Sequence, residues 1–236
     1  MRLGIISALA EEQEGLIDVM HDATRLTHGM RDYTCGTLWN TDAVVVLSRI
    51  GKVAAAMTAA TLVEKFGVTH IIFTGVAGSA DFGVNVGDVV VAESLAQHDM
   101  DASPLFPRFE VPLTGLTRLP TDAILSRQLA EAARRFLENE PAGSQLHRGL
   151  IGSGDQFIND GVRLAALKDG LPDLLAVEME GAAVAQVCFE LNVPFAVIRT
   201  ISDNANEHAA TDFMHFVKTV AARYAFGILQ QFCHAT

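Results

Sequence analysis

Short runs of consecutive apolar residues recur along the chain and are rich in β-branched side chains. They do not alternate with polar residues as a half-buried strand does. Runs of this length and composition are typical of strands that are covered on both faces. The pattern therefore predicts buried strands over residues 3–6, 43–47, 70–73, 88–92, 174–177 and 195–198.

Between several of these runs, the apolar residues take up helical spacing. The spacing predicts helices over 53–66, 122–138, 181–191 and from near Thr211 and Asp212 towards the C-terminus. Gly67 and Asn192 follow the first and third of them, and Gly or Asn just past a periodic stretch is a common stop signal. Strands that alternate with helices indicate an α/β domain whose largely parallel sheet is sandwiched by helices.

Residues 99–120 differ from the rest of the chain because they hold four of the seven prolines and show little periodicity. This segment is predicted to be a long loop, and loops of that length often act as lids or partner-binding segments. No internal repeat or low-complexity segment stands out. The 236 residues are therefore interpreted as one domain spanning 1–236.

Net charge and cysteine content limit the expected ligands and the expected cellular location of the protein. A net charge of −11 without a visible basic patch argues against a nucleic-acid partner and favours small solutes as ligands. Three cysteines at unrelated spacings, without a CxxC pair, indicate a reducing, cytoplasmic location. The first apolar run meets Glu11 and Glu12 too early for a signal peptide, and no apolar run approaches the length of a membrane span. Neither secretion nor a membrane anchor is expected.

Acidic side chains follow the first predicted strand, and the carboxyl ends of strands are where open α/β sheets bind ligands. Glu11, Glu12 and Glu14 lie at a predicted helix start. They either complement the helix dipole, or one of them serves as a general base.

A second polar cluster follows the last predicted strand and contains Arg199, Ser202 and Asp203. Asp203 belongs either to an ordinary turn or to a cleft in which desolvation makes it a proton donor. Arg199 lies so close to an apolar strand that it should have an anionic partner.

Glycines follow two further predicted strands. Those of 73–88 form either tight turns or points where the backbone approaches a ligand, since glycine has no Cβ. Neither GxGxxG nor GxxxxGK[ST] is present, so no dinucleotide or P-loop site is predicted and no cofactor is expected. Gly-Ser-Gly at 152–154 leads to Phe157 and Ile158, which are either core residues or the face on which a heterocycle stacks.

Two carboxylates, Glu178 and Glu180, lie between an apolar run and an apolar helix, where charges are seldom buried without a partner. The histidines show no HExxH spacing, and HDMD at 98–101 lacks further spaced ligands, so no metal site is predicted. No GxSxG elbow for Ser-His-Asp chemistry is present.

Six segments, taken together and in this order, resemble bacterial 5′-methylthioadenosine/S-adenosylhomocysteine nucleosidases of the nucleoside phosphorylase superfamily. They are GIISALAEE, IGKVAAA, TGVAGS, SGDQFI, AVEMEGAAVA and RTISDNA. The resemblance implies a three-layer α/β/α sandwich with a central mixed, largely parallel sheet. It also implies hydrolysis of the N-glycosidic bond of 5′-methylthioadenosine, S-adenosylhomocysteine and related adenosines to adenine and a free thioribose, in methionine salvage and in removal of methyl-cycle by-products.

The resemblance assigns the chemistry to two carboxylates. Asp203 would protonate adenine at N7, and Glu12 would activate the attacking water as general base. Arg199 resembles the arginine that holds the water-side carboxylates, and Ser202 resembles a supporting donor beside the acid. For Asp203 to hold a proton near neutrality, a shielded pocket has to raise its pKa.

The same resemblance assigns the substrate contacts. Glu180 would accept hydrogen bonds from the ribose hydroxyls, Met179 would pack against the ribose, and Glu178 resembles a further ribose-site position. Phe157 would stack on adenine, and the backbone of Ile158 would read the base edge. The apolar wall for a thioether tail would consist of Ala8, Leu9, Ile50 and Val76.

Two departures from the family concern substrate range and assembly. Val76 stands where many members have serine, and GVAGS, HDMD and GDQF resemble a subgroup from bacteria that make menaquinone through futalosine. 6-Amino-6-deoxyfutalosine is therefore a further candidate substrate. The loop 99–120 matches poorly in detail; by analogy, it reaches into a neighbouring subunit's site with Phe106, which implies a homodimer.

Two other functions stay open. A purine nucleoside phosphorylase would need arginines that converge on phosphate; Arg25 and Arg31 precede the second predicted strand, and Arg49 ends it. Glu12 would, however, repel an anion at the attack position. A non-catalytic nucleoside-binding module is the other alternative because a fold does not fix function, although a paired acid and base disfavours it.

Overall fold

Strands and helices alternate along most of the chain, and the computed structural model describes residues 1–140 and 143–235. The strands are β1 (Arg2–Ser7), β2 (His21–His28), β3 (Arg31–Leu38), β4 (Thr41–Leu47), β5 (His70–Ser79), β6 (Val89–Gln97), β7 (Leu119–Pro120), β8 (Leu146–Ser153), β9 (Leu174–Glu178) and β10 (Phe195–Asp203). The helices are α1 (Lys52–Phe66), α2 (Ala123–Leu137), α3 (Gly161–Gly170), α4 (Gly181–Leu191), α5 (Ala209–Phe216) and α6 (Ala222–Ala235). A 3₁₀ turn (Ala10–Gln13) follows β1, and a π-helical turn (Val217–Ala221) joins α5 to α6.

The strands form one sheet in the order β10-β6-β8-β9-β5-β1-β4-β3-β2, with β7 paired to β6. β10 also pairs with β5, so β5, β10, β6, β8 and β9 close into a ring. Parallel pairing joins β4, β1, β5 and β10, and also β6, β8 and β9. The strands β2, β3 and β4 pair antiparallel, as do β10 with β6 and β5 with β9. The prediction of a mixed sheet is thereby confirmed.

Helices cover both faces of the sheet, which confirms the three-layer sandwich. α1 and α4 pack on one face, and α2 and α6 pack on the other. Within β1, Ile6 belongs to the core on the first face, whereas Leu3 and Ile5 belong to the core on the second. Each such side chain contributes about 1.5–3 kcal/mol when fully buried. Both cores draw on neighbouring strand positions, so the strand shows no polar alternation.

The predicted helices α1, α2 and α4 begin and end within one residue of their expected bounds. Gly67 and Asn192 end two of them in the left-handed conformation, with φ of 63° and 54°. The strands β5 and β10 differ from the prediction because they continue to Ser79 and Asp203. TGVAGS and RTISD are thus strand residues rather than turns, and they carry the sheet ladder to the edge of a cavity.

The hairpin of β2 and β3 and the helix α3 were missed by the sequence analysis. All residues of β2 are exposed, so no apolar run marks this edge strand. α3 buries only Leu167 and therefore lacks an apolar stripe. Arg25 and Arg31 precede the strand predicted over 43–47, which is β4, and they lie within the missed strands β2 and β3.

Residues 99–120 form the predicted long loop, apart from β7 at its end. The loop leaves Leu105 and Leu113 largely exposed, at 83% and 90%. Within the described ranges, no helix has the length and apolar character needed to cross a membrane.

Candidate active site

A cavity of about 280 Å³ opens at the carboxyl ends of β1, β5 and β10. Every predicted site residue except Arg199 and Phe106 lines it. The full lining is Ala8, Leu9, Glu12, Ile50, Val76, Ala77, Gly78, Gln156, Phe157, Ile158, Val177, Glu178, Met179, Glu180, Ser202, Asp203 and Phe213. Segments far apart in sequence thus meet where the parallel strands end.

Glu12 lies in the 3₁₀ turn after β1 and is almost fully buried. Its Oε2 accepts hydrogen bonds from the backbone N–H groups of Ala8 at 2.8 Å and Leu9 at 2.9 Å, and Oε1 accepts one from Val76 at 3.1 Å. Burial raises the pKa of Glu12, although these N–H groups and the charge of Arg199 oppose the rise. A carboxylate held in this way is oriented and more basic than one in water.

Asp203 is the last residue of β10 and is also buried. Its Oδ2 accepts a hydrogen bond from the hydroxyl of Ser202 at 2.8 Å, and Oδ1 accepts one from the N–H of Ala205 at 2.9 Å. Burial raises the pKa of Asp203, against the lowering effect of these two donors. The site therefore favours the protonated carboxyl more than water does.

Two glycines of β5 leave room for these two carboxylates. A Cβ on Gly75 would lie 2.9 Å from Oε1 of Glu12, and a Cβ on Gly78 would lie 2.9 Å from Oδ1 of Asp203. In the β5–β10 pairing, Arg199 lies opposite Gly75, and Asp203 lies opposite Gly78. Both distances are shorter than van der Waals contact, so a side chain at either position would displace a carboxylate. The two glycines of TGVAGS thus leave space for the carboxylates of Glu12 and Asp203 rather than for a ligand.

The carboxylate of Glu178 is occupied by donors from the protein. Arg199 contacts Oε2 through Nη2 at 2.5 Å and Nε at 3.2 Å. The N–H of Gly181 contacts both oxygens at 2.9 Å, and the hydroxyl of Ser153 donates to Oε1. Because Gly181 begins α4, the carboxylate also meets the positive end of that helix. Glu178 is therefore a fixed anion that anchors the start of α4.

Glu180 lies only two residues further on but has different surroundings. Its Oε1 accepts a 2.8 Å hydrogen bond from the N–H of Gly51. Oε2 has no donor within the described part of the chain. Burial and then the negative charge of Glu178 raise the pKa of Glu180. One oxygen thus faces the cavity without a protein partner and is open to a ligand.

Arg199 and Phe106 are the two predicted site residues that do not line the cavity. Arg199 is 1% exposed behind the cavity wall, with its guanidinium carbon 4.1 Å from the centre of the Phe73 ring. It acts on the cavity through its hydrogen bonds to Glu178 and through its charge, which opposes the rise in the pKa of Glu12. Phe106 is half-buried in the loop 99–120 of its own chain.

The opposite side of the cavity is aromatic. Phe157 remains 38% exposed, whereas Ile158 is buried. The ring of Phe213, on α5, meets that of Phe157 edge-on at 5.7 Å and 76°. Sequence analysis missed Phe213 and Gln156 as lining residues. An aromatic within a predicted amphipathic helix gives no signal that separates a site residue from a core residue.

The apolar wall predicted from the sequence is partly built as expected. Leu9 and Val76 pack with residues of α5 and the π-helical turn in one small cluster. Ile50 lines the cavity but stays 54% exposed at its mouth. The cavity therefore offers an apolar side close to its carboxylates, as a nucleoside with an apolar tail requires.

The arginines that a phosphate site would need do not converge on this cavity. Arg31 and Arg49 donate to backbone carbonyl groups, and Arg25 forms an ion pair with Asp32. They line two adjoining depressions, which share Ala8 and Ile50 with the cavity but contain none of its carboxylates. Among the described residues, four carboxylates and no lysine or arginine line the cavity. An anion beside Glu12 would lie against that carboxylate without a lysine or arginine in this lining to bind it.

Comparison with known proteins agrees with this geometry. The family model of the phosphorylase superfamily matches residues 2–233. A 5′-methylthioadenosine/S-adenosylhomocysteine nucleosidase from Shewanella frigidimarina is 36% identical over 234 residues, 98% of this chain and 100% of the relative.

Solved structures give the same result. The 5′-methylthioadenosine/S-adenosylhomocysteine nucleosidase of Neisseria meningitidis, in complex with methylthio-immucillin-A, superposes with a TM-score of 0.92 at 35% identity, covering 100% of this chain and 99% of that one. The futalosine hydrolase of Helicobacter pylori superposes with a TM-score of 0.90 at 32% identity, covering 100% and 98%. By its sequence, its fold and the residues around its cavity, the chain belongs to the 5′-methylthioadenosine/S-adenosylhomocysteine nucleosidase family of the phosphorylase superfamily.

Proposed function

We propose that the chain hydrolyses the N-glycosidic bond of 5′-methylthioadenosine, S-adenosylhomocysteine and related adenosines, with adenine and the free thioribose as products. The observation that carries the proposal is the pair of buried carboxylates, Glu12 and Asp203, in one cavity whose lining, as far as the structure describes the chain, contains no lysine or arginine. Hydrolysis with a poor leaving group and a poor nucleophile needs both an acid and a base.

In the proposed reaction, Glu12 takes a proton from water while the water oxygen forms a bond to C1′ of the ribose. The bond from C1′ to N9 of adenine breaks, and its electron pair moves into the purine. Asp203 gives its proton to N7, so adenine leaves as a neutral molecule. The raised pKa of Asp203 suits a donor, and the three fixed N–H groups around Glu12 suit an oriented base.

The sugar is proposed to lie against Glu180 and Met179. The open Oε2 of Glu180 would accept a hydrogen bond from a ribose hydroxyl, and the N–H of Gly51 keeps the other oxygen in place. Glu178 supports this arrangement from behind, because its oxygens are bonded to Arg199 and to the start of α4.

Adenine is proposed to stack on Phe157 and to be read by the backbone of Ile158, with Ser202 supporting the acid. The tail would lie along Leu9, Ile50 and Val76. A panel of 5′-methylthioadenosine, S-adenosylhomocysteine, 5′-deoxyadenosine and 6-amino-6-deoxyfutalosine would rank the substrates.

The test of the function measures adenine release from 5′-methylthioadenosine with and without inorganic phosphate. We expect equal rates, with free methylthioribose as second product, because the described residues of the cavity lining offer carboxylates and no lysine or arginine to an anion. A strict need for phosphate, with a sugar 1-phosphate as product, would establish the phosphorylase instead. Nucleoside binding in calorimetry without adenine release would favour the non-catalytic module.

A homodimer in which loop 99–120 contributes Phe106 to the neighbouring site is proposed as the assembly. Its support is the exposure of Leu105 and Leu113 in this loop, at 83% and 90%. Sedimentation velocity is expected to give about twice the chain mass of 25.3 kDa. A monomer at the concentrations of the assay would contradict the proposed dimer but would leave the proposed hydrolysis unaffected.

The setting proposed for this reaction is the cytoplasm, and cell fractionation tests it. The support is that Cys35 and Cys188 are free thiols, which persist in reducing compartments.

The organisation as one domain over 1–236 is supported by a family model that covers residues 2–233.

A further inference from the structure

Three residues, Lys52, Asp99 and Asp155, form a closed ring of hydrogen bonds beside the cavity but do not line it. The backbone N–H of Lys52 donates to Oδ1 of Asp155 at 2.8 Å. The N–H of Asp155 donates to Oδ2 of Asp99 at 2.9 Å, and Nζ of Lys52 donates to Oδ1 of Asp99 at 2.6 Å. The ring thus closes on Lys52, which takes part with both its backbone and its ammonium group.

The ring joins two segments that meet the substrate at different places. The sugar-side turn, residues 50–52, contains Gly51, whose N–H holds Oε1 of Glu180. The base-side segment, residues 154–158, contains Phe157 and Ile158. The two segments are about a hundred residues apart in the sequence. Their relative position therefore depends on contacts such as those of this ring.

The fit between the segments is close. A Cβ on Gly51 would lie 3.2 Å from Oδ1 of Asp155, and a Cβ on Gly154 would lie 2.3 Å from Cε1 of His98. His98 is 3% exposed, and its Nε2 has no hydrogen-bond partner in the described ranges. The base-side segment therefore packs closely against His98, which follows β6. The ring adds hydrogen bonds that orient the segment relative to the sugar-side turn.

The ion pair in the ring is shielded from solvent. The side chains of Lys52 and Asp99 are each 17% exposed, and Nζ of Lys52 also donates to the side chain of Gln97 at 3.0 Å. Charges in such a position interact more strongly than those of an exposed pair. Loss of the ammonium group would leave Asp99 with the N–H of Asp155 alone.

We propose that Lys52 and Asp99 are positioning residues that set the distance between the base-side segment and the sugar-side turn. The inference rests on the proposed function, since it assumes a nucleoside that contacts both segments. A nucleoside has to reach Glu180 and Phe157 at once, whereas adenine alone needs only the base side. Misplacement of one segment by about 1 Å can cost on the order of 10²-fold in rate.

The experiment compares Lys52→Met with the native chain, using 5′-methylthioadenosine as substrate and adenine as product inhibitor. We expect kcat/KM to fall by on the order of 10–10²-fold, through both kcat and KM, while the inhibition constant of adenine stays near its native value. Methionine keeps most of the apolar stem of lysine and removes the ammonium group, with its charge and its hydrogen bonds to Asp99 and Gln97. Asp99→Asn keeps the shape of its side chain and is expected to act in the same direction.

Lys168→Met is the matched control. Lys168 pairs with Asp81 at 2.8 Å, with side chains 26% and 38% exposed, and lies outside the cavity, so its loss should leave kcat/KM unchanged. Equal losses in the two lysine variants would mean general destabilisation and would overturn the inference. Equal weakening of adenine and nucleoside would overturn it as well.

The double variant of Lys52→Met and Asp99→Asn tests whether the pair acts as a unit. It should lose no more activity than Lys52→Met alone, whereas additive losses would contradict the ring. If the native chain released no adenine, the proposed function would fail. An active native chain with a fully active Lys52→Met variant would remove only this inference.

Discussion

Replacing Asp203 by asparagine is expected to lower kcat for adenine release by about 10²–10⁴-fold. Asparagine has no proton to transfer to N7, so adenine would have to leave as an anion. The packing should survive, because the asparagine oxygen can still accept the hydrogen bond of Ala205 and its amide can donate to Ser202. Steady-state release of adenine from 5′-methylthioadenosine measures the effect.

The same substitution should not destabilise the protein at alkaline pH. The pKa of Asp203 is raised in the folded state, so its stabilising contribution is complete below the unfolded pKa and is lost as pH rises through the folded pKa. Above that range, the native chain holds a buried carboxylate, and the Asn variant does not. We therefore expect thermal unfolding at the same or a higher temperature than in the native chain, together with the loss of rate.

Asp212→Asn is the control for this prediction. Asp212 lies nearby on α5, and its charge adds to the rise in the pKa of Asp203. The control should keep the native kcat and move the alkaline fall of the rate to lower pH, because Asp203 then loses its proton more easily. A fully active Asp203→Asn variant would show that the acid lies elsewhere.

Replacing Glu12 by glutamine is expected to lower kcat by a similar factor of about 10²–10⁴, because the attacking water loses its base. Here stability should fall too. Both oxygens of Glu12 accept backbone N–H groups, and a glutamine amide nitrogen cannot accept from either side. A buried N–H left without an acceptor costs about 1–3 kcal/mol.

The pH dependence separates the loss of the base from the loss of stability. Since burial raises the pKa of Glu12, the native kcat/KM should fall towards acid as this group is protonated. A Glu12→Gln variant, measured below its unfolding temperature, should lack that part of the acid limb. Glu11→Gln, the same change one residue earlier at a half-buried position outside the cavity lining, should behave like the native chain. Native-like rates in Glu12→Gln would rule out the proposed base.

The elements that the sequence predicted are those whose signal is local. Helices α1, α2 and α4 were placed within one residue because each has its own apolar periodicity, and Gly67 and Asn192 mark the ends of α1 and α4. The edge strand β2 was missed because the ladder with β3, and not burial, holds it in place. The pairing of β10 with β5, which closes five strands of the sheet on themselves, was not predicted either, because pairing between distant strands leaves no local pattern in the sequence.

The amino-acid sequence by itself determined the α/β class, the main strands and helices, and the short segments whose joint resemblance names the family. Tertiary structure alone decided what each site residue can do. Glu178 and Glu180 are chemically identical, yet Arg199 and the start of α4 occupy the first while Gly51 leaves one oxygen of the second open. A carboxylate's role follows from the donors, charges and solvent around it, and these come from segments that only the fold brings together.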